Sequence, residues 1–350
     1  MQKYNFFQKM PRFSLSFLNI FSLGRNFSTF AEADVRHLIM NKTLKIALIV
    51  TLLLCVAVSL VYASPRGRRK LRRGRKARVA RVETQPVSEA AKSFLSWCEL
   101  PITTLTDDQE IITHYTTIDG ERRRNFTMLY DHSDKLSLWV AYPMHACYLG
   151  DAERTEAWAF DPRIPSSEQF NMKRSGFIDD NGYSSYDRGH QIPSADRTVN
   201  HEANAATFYY SNMTPQQSSF NRGLWGRLEE FVRDNTPATD TLWVVTGCVM
   251  TTPDSPTLLR AAHKTYGDSI SVPRAYFKVL LRSSVSGSLP TDSSAECVGF
   301  WMPNAAPTSS KLTTAYAVSV NHIEQLTGID FFPGLSDQTE SQCDTSIWKW

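Results

Sequence analysis

The sequence predicts an α+β fold built around an antiparallel sheet. Apolar or alternating stretches typical of strands occur at 136–142, 240–250, 275–281 and 296–302. Apolar residues at three- and four-residue intervals after Asn221 predict one amphipathic helix, and a second is expected over 321–326. Strands and helices alternate without the regular order that builds parallel sheets. We therefore expect a central antiparallel sheet flanked by helices.

The first part of that sheet is expected to be a pair of hairpins. From His114 to Tyr142 the chain alternates polar and apolar residues, with turn residues at Asp119-Gly120 and Ser133-Asp134. A short helical pattern over 88–97 and a Leu-Pro break precede it. A folded domain is therefore expected to follow this lead-in.

Composition allows a full hydrophobic core, but charge is distributed unevenly. The 350 residues are 42% hydrophobic and carry a formal charge of +3. Residues 1–65 contribute +5 and residues 66–81 contribute +10, which leaves −12 for residues 82–350. A domain of that balance would need a local basic groove to hold a polyanion, because it lacks overall attraction.

The N-terminal region has the pattern of an export signal. Residues 1–39 are rich in Phe, Ser and Asn without periodicity and predict a non-structural extension, with Met40 as a candidate start. Residues 40–63 combine a short basic region, eighteen apolar residues and Val-Tyr-Ala before Ser64, as signal peptides do. We expect export to the periplasm or the extracellular space. The alternative is an uncleaved single-pass membrane anchor, since eighteen apolar residues can just span a bilayer.

Residues 64–113 are expected to form a basic, largely disordered linker and lead-in. Its stretch 66–81 has ten Lys/Arg and no acid. That charge would suit an anionic membrane surface or nucleic acid, or would merely keep a linker solvated. Positive charge next to an uncleaved apolar segment normally stays in the cytoplasm, which argues against export.

The run SYDRGHQIPSADR carries the strongest chemical signal. Its His190 titrates near neutral pH and can take a proton from water, while Arg188 is a permanent cation suited to a phosphate oxygen. The alternatives are a polar surface loop and, for Arg188, a salt bridge to Asp187 or another acid.

Thirty-one residues later, Asn221 stands where a helix is expected to begin, and Glu229 follows about two turns further on. Helix capping is the ordinary role of such an Asn, and most helical Glu side chains face water.

The succession DRGH, SNMTPQ and NRGLWGRLE resembles the DNA/RNA non-specific endonucleases of the ββα-metal (His-Me finger) class, which includes mitochondrial endonuclease G. The resemblance covers residues 114–336, which it implies to be the endonuclease domain, and leaves 337–350 as a C-terminal tail. It implies a general base at His190, an amide ligand of Mg²⁺ at Asn221, and water-mediated metal contact by Glu229. It also implies DNA and RNA as substrates, held through their phosphate backbones.

Further site residues follow from the same resemblance. Arg188 is expected near the phosphate, with Asp187 and Asn212 in supporting positions within the matching motifs. Arg154 matches a family arginine in the order Arg, Trp, Asp-Pro, although the spacing here is stretched. An ordinary surface arginine is the alternative for Arg154. The ion could also be Mn²⁺ or another divalent cation.

Other residue classes add little. Five cysteines outside the apolar segment allow one or two disulfides or free thiols, and the absence of a CxxC pair argues against structural zinc. The remaining histidines lack metal-ligand spacing. No nucleotide-binding glycine motif occurs.

Three functions remain open from sequence: a Mg²⁺-dependent endonuclease, which is favoured; a catalytically inactive nuclease-like binding protein; and a membrane-tethered interaction protein. Oligomeric state is undetermined, with a homodimer as one option.

Overall fold

A seven-stranded antiparallel sheet forms the centre of the protein in a computed structural model, which describes residues 97–172, 186–262 and 268–350. The spatial order is β1-β2-β3-β6-β9-β10-β11. These strands are β1 (Gln109–Ile118), β2 (Glu121–Asp131), β3 (Leu136–Met144), β6 (Leu242–Val249), β9 (Ala275–Ser283), β10 (Ala295–Pro303) and β11 (Ala317–Val318). The predicted α+β class and its antiparallel sheet are confirmed.

The two predicted hairpins form where the turn residues indicated. Asp119 and Gly120 adopt the left-handed backbone conformation, with φ of 53° and 80°, and join β1 to β2. Lys135, at φ 59°, ends the next turn before β3. Strand β1 runs across the expected domain boundary at residue 114, and Glu99, still earlier, is buried against Arg124.

In the described part of the chain, four α-helical segments accompany the sheet. They are α1 (His201–Ala206), α2 over residues 218–234, α3 (Val320–Thr327) and α4 (Asp337–Glu340). Helix α2 has three contiguous parts: one α-helical turn (Ser218–Phe220), a π-helical turn (Asn221–Trp225) and a regular helix (Gly226–Asp234). Gly328, at φ 69°, ends α3 as the sequence predicted.

The sheet is covered on both faces. Helix α2 packs one layer, in which Trp225 and Leu228 join Tyr142, Val244 and Leu280. The opposite layer holds Trp139, Phe277 and Val279 from the strands together with residues of α3 and the segment after it, Ile323 and Phe331. Side chains of β9 alternate between the layers because successive residues of a strand point to opposite faces. Helices flanking the sheet are thus confirmed.

Two small ribbons lie outside the main sheet and were not predicted. Strand β4 (Tyr186–His190) pairs antiparallel with β5 (Met213–Gln217), and β7 (Leu259–Ala262) pairs with β8 (Ser269–Val272). The ribbon β4–β5 consists largely of polar residues, so its sequence lacks the apolar alternation that marks a strand. It leads directly into α2.

Predictions for residues 1–39, 40–63 and the basic stretch 66–81 lie outside the described residues, as does the helical pattern over 88–97 except for its last residue. Within the described ranges, no helix is both long and apolar enough to cross a membrane. Of the two options that the sequence left for the five cysteines there, thiols rather than disulfides are found, and two of the thiols are buried. The C-terminal segment packs on the domain, since Trp348 is 4% exposed.

Candidate active site

The DRGH motif forms strand β4, and its glycine is required by the pairing with β5. A Cβ built on Gly189 would lie 2.5 Å from the Cβ of Gln216, a fully buried residue on β5. Any side chain at position 189 would therefore push the two strands apart. Strand β4 pairs with β5, and β5 leads into α2, so these three elements make a ββα unit that carries His190 and Asn221.

Asp187 ties the first strand of this unit to its helix. Its carboxylate accepts hydrogen bonds from Asn221 Nδ2 (3.0 Å), from Ser218 Oγ (3.1 Å) and from two nitrogens of Arg222 (2.7 Å each). Partial burial alone would raise the pKa of Asp187, but these hydrogen bonds outweigh it and hold that pKa below its usual value. Asp187 therefore stays ionised and pairs with Arg222, so the alternative of an Arg188–Asp187 salt bridge is wrong.

The role of Asn221 differs from helix capping. The helical segment begins at Ser218, and the side chain of Gln217 accepts the backbone N–H of Phe220. The expected helix start was therefore three residues late, because the π-helical turn interrupts the usual spacing. Asn221 begins that turn, with its NH₂ group held by the acceptor-only carboxylate of Asp187. Its amide oxygen consequently faces away from this carboxylate.

His190 lies in an aromatic pocket beside two cations. Its ring is 5.7 Å from the ring of Trp158 and 5.1 Å from that of Phe208, centroid to centroid. Burial, reinforced by the charges of Arg154 and Arg188, lowers the pKa of His190 to about 3. The imidazole is therefore neutral at neutral pH. Its Nε2 atom is buried and has no hydrogen-bond partner among the described residues.

The two predicted arginines lie on this pocket. The guanidinium of Arg188 stacks 3.6 Å above the Trp158 ring. That of Arg154 lies 4.7 Å from the Phe208 ring and donates to Ser194 Oγ at 2.9 Å. Their charges act together on His190, so the structure brings Arg154, Arg188 and His190 into one cluster. Arg154 is half exposed but fixed on three sides, unlike an ordinary surface arginine.

Glu229 does not simply face water. It is half-buried on α2, and burial raises its pKa although the charge of Lys278 opposes this rise. Asp196, Arg233 and Arg154 complete its charged surroundings. Because Arg154 acts electrostatically on both Glu229 and His190, it connects the two predicted site residues.

Lys278 is a functional candidate that the sequence did not reveal. It is fully buried on β9, its Nζ donates to Thr246 Oγ1, and it lies 5.0 Å from the Trp225 ring. Burial lowers its pKa, and the negative charge of Glu229 opposes this. A lysine inside an apolar strand was the available signal, since lysine is rarely buried without a partner.

Asn212 fixes the segment that follows His190. Its side-chain oxygen accepts the N–H of Ile192 at 3.0 Å, and its NH₂ donates to the carbonyls of Ile192 (2.9 Å) and Thr207 (2.8 Å). Being completely buried, it needs all these partners. Asn212 therefore holds the backbone two residues after His190, and its supporting role in the site stays a prediction.

The donor set suits a hard cation with few protein ligands. Among the described residues, no group of three or more His, Cys, Asp or Glu side chains could hold a metal ion. The amide oxygen of Asn221 and the carboxylate of Glu229 are donors of the kind that Mg²⁺ prefers, since this ion binds oxygen and keeps several of its own waters. Asn221 could hold such an ion directly, with Glu229 hydrogen-bonding to its waters.

A ββα unit that brings His190 together with Arg154 and Arg188 is the arrangement expected of a nuclease of the His-Me finger class. The family model of DNA/RNA non-specific endonucleases matches residues 108–338, and the chain belongs to that family. This family comprises nucleases that depend on a divalent metal.

Relatives agree with this membership. A nuclease of Nostoc sp. is 31% identical over 227 residues, covering 64% of this chain and 77% of its own length. The mitochondrial nuclease EXOG of Homo sapiens is 32% identical, over 60% of this chain and 56% of its own. The EXOG of Danio rerio is 31% identical, over 63% of each chain. The match thus spans less than two thirds of these EXOG proteins. A solved EndoG/EndoGI complex aligns with 22% identity and a TM-score of 0.48, over 65% of this chain and 89% of that one.

Proposed function

We propose that this nuclease hydrolyses phosphodiester bonds of DNA and RNA without sequence preference, using Mg²⁺ or another divalent ion such as Mn²⁺. The observation that carries the proposal is the buried, unpaired Nε2 of a neutral His190 next to Arg154 and Arg188. A neutral imidazole with one free nitrogen can accept a proton, and two guanidiniums can hold a phosphate.

His190 acts as the general base. Its free Nε2 takes a proton from the water that attacks phosphorus, leaving an imidazolium beside the bound phosphate. The arginines lower the pKa of His190, but a phosphodiester anion between them offsets their charge. Substrate binding therefore raises the basicity of His190 when a base is needed.

Asn221 would hold the metal through its amide oxygen, with Glu229 hydrogen-bonding to bound water. When bound, the ion supplies charge neutralisation at the phosphate and at the leaving oxygen. Asp187 keeps the amide correctly oriented through the 3.0 Å hydrogen bond from Asn221 Nδ2. Glu229 can accept hydrogen bonds from water when it is ionised.

Contacts to phosphate explain a lack of sequence preference. Arg154 and Arg188 are the proposed substrate-holding groups, and contacts from them to phosphate oxygens carry no sequence information. The balance of −12 over residues 82–350 makes binding depend on these local cations.

Cleavage of supercoiled plasmid and of single-stranded RNA, with Mg²⁺ or with EDTA, tests the proposal. We expect nicking and RNA degradation that EDTA abolishes, and Asn221→Ala should need more Mg²⁺ for half-maximal rate. A catalytically inactive relative would bind both polymers and leave them intact. An unchanged Mg²⁺ titration in the variant would place the metal elsewhere.

We further propose that the protein is exported and cleaved after Ala63, on the pattern of residues 40–63. Mass spectrometry of the mature N-terminus tests this, and a chain that retains residues 46–63 would instead support a membrane anchor. Deleting residues 66–81 should weaken substrate binding without abolishing cleavage. Complete loss of function would favour the tethered interaction protein.

A further inference from the structure

Glu156 places a carboxylate beside Arg154 and Arg188, the two cations on the aromatic pocket of His190. Its oxygen Oε1 accepts from Arg154 Nε, and its other oxygen accepts the indole N–H of Trp158 at 2.7 Å. Arg188 stacks on the ring of Trp158, and its positive charge is the second one that acts on Glu156. The Glu156 carboxylate therefore occupies the donors of Arg154 and Trp158 and offsets positive charge beside His190, the proposed base.

The backbone at Glu156 is unusual for its residue type. Its φ is 48°, in the left-handed region that non-glycine residues seldom adopt without compensation. Glu156 lies between Arg154 and Trp158, where the spacing of the Arg, Trp, Asp-Pro motif is stretched. The extra length thus turns the chain so that the carboxylate points back at Arg154.

The ion pair between Arg154 and Glu156 is weak enough for another anion to replace the Glu156 carboxylate. The side chains of Arg154 and Glu156 are 50% and 55% exposed, and ion pairs in such positions contribute little to stability. The same donors suit a phosphate oxygen, which guanidinium groups bind through charge-assisted hydrogen bonds. A phosphate that displaces Glu156 also allows its backbone to relax.

We propose that Glu156 is an internal competitor that occupies an anion site between Arg154 and Trp158, and that a phosphate of the substrate replaces it there. The proposal deepens the proposed nuclease function and rests on it for the identity of the phosphate. Glu156 thereby lowers the affinity for substrate, because a phosphate has to displace its carboxylate before it can bind at this anion site.

The test compares Glu156→Gln with wild type and with Glu153→Gln, which removes the same charge from an exposed position outside the cluster. Two probes are titrated in EDTA: inorganic phosphate, by thermal shift, and a short fluorescent DNA duplex, by anisotropy. Removing a negative charge about 4 Å from a bound phosphate should tighten both by roughly threefold to tenfold. Glu153→Gln should change them far less.

Equal binding of both probes by Glu156→Gln and Glu153→Gln would overturn the proposal. So would weaker binding by Glu156→Gln with a reduced kcat, because Glu156 would then merely hold the arginine in place. If wild type cleaves DNA and Glu156→Gln gains nothing, only this inference fails. If wild type fails to cleave but Glu156→Gln binds phosphate more tightly, the anion site stands and the nuclease proposal fails.

Discussion

The two faces of the central sheet differ in what they bury. On the α2 face, the buried or half-buried groups include Lys278, Glu229 and Asp196, all charged. On the α3 face, Phe277 and Ile323 lie in a largely apolar layer, whose charged exception is the buried Glu99–Arg124 pair stacked on Trp97. Both faces belong to the same strands, so strand formation does not explain the difference.

The contrast shows where the fold tolerates buried charge. An apolar layer stabilises by removing nonpolar surface from water, whereas buried ions carry a desolvation cost that pairing only partly offsets. Charges on the α2 face act on one another and on the site residue Arg154. We infer that the α3 face serves stability and that the α2 face gives up some stability for chemistry.

The strongest test of that division is His190→Ala. Turnover should fall by about 10²–10⁴ because general-base help is lost, while the melting temperature stays near that of wild type. Rates on plasmid DNA at saturating Mg²⁺ measure it, with exposed His322→Ala as the control. Wild-type turnover in His190→Ala would remove this residue from the mechanism.

On the opposite face, Phe277→Ala should act on stability alone. The ring is fully buried, and truncating such a ring costs about 3–5 kcal/mol in the free energy of unfolding. Denaturant unfolding measures the loss, and Phe277→Leu should lose less because it preserves more volume. A fall in turnover per folded molecule would contradict the separation of the two faces.

Asp187→Asn should raise the Mg²⁺ concentration for half-maximal activity by about 10–100-fold, as loss of groups that orient metal ligands usually does. The reason is that a neutral amide holds the NH₂ group of Asn221 less firmly than the carboxylate does. A Mg²⁺ titration of activity measures it, with exposed Asp254→Asn as control. An unchanged Mg²⁺ midpoint in Asp187→Asn would show that Asp187 does not orient a metal ligand.

The smallest effect is expected from Lys278→Met, in the rate's dependence on pH. The positive charge of Lys278 lowers the pKa of Glu229, which burial raises. Without it, that pKa rises further, so Glu229 ionises only at higher pH and the acidic limb of the pH–rate profile moves upward. The exposed control Lys311→Met should leave the acidic limb in place. An unmoved limb in Lys278→Met as well would show that Lys278 does not act through Glu229.

Much of the sheet was predictable because its strands are apolar on one or both sides. The apolar residues at 136–142 and 275–281 predicted strands there. Strands β4 and β5 did not, since polar residues such as Asp187, Arg188 and Gln216 occupy them. Their pairing is fixed by tertiary contacts, including the close approach of Gly189 to Gln216.

The sequence by itself determined the family, the sheet and the identity of the residues that the DRGH and NRGLWGRLE motifs carry. Motifs are local in the chain, so residue types and spacing suffice to recognise them. Only the tertiary structure decided that Asp187 pairs with Arg222, that the charges of Lys278 and Glu229 act on each other, and that Glu156 turns back onto Arg154. The charged partner of a side chain depends on which distant strand or loop is packed against it, and burial then sets the strength of the interaction.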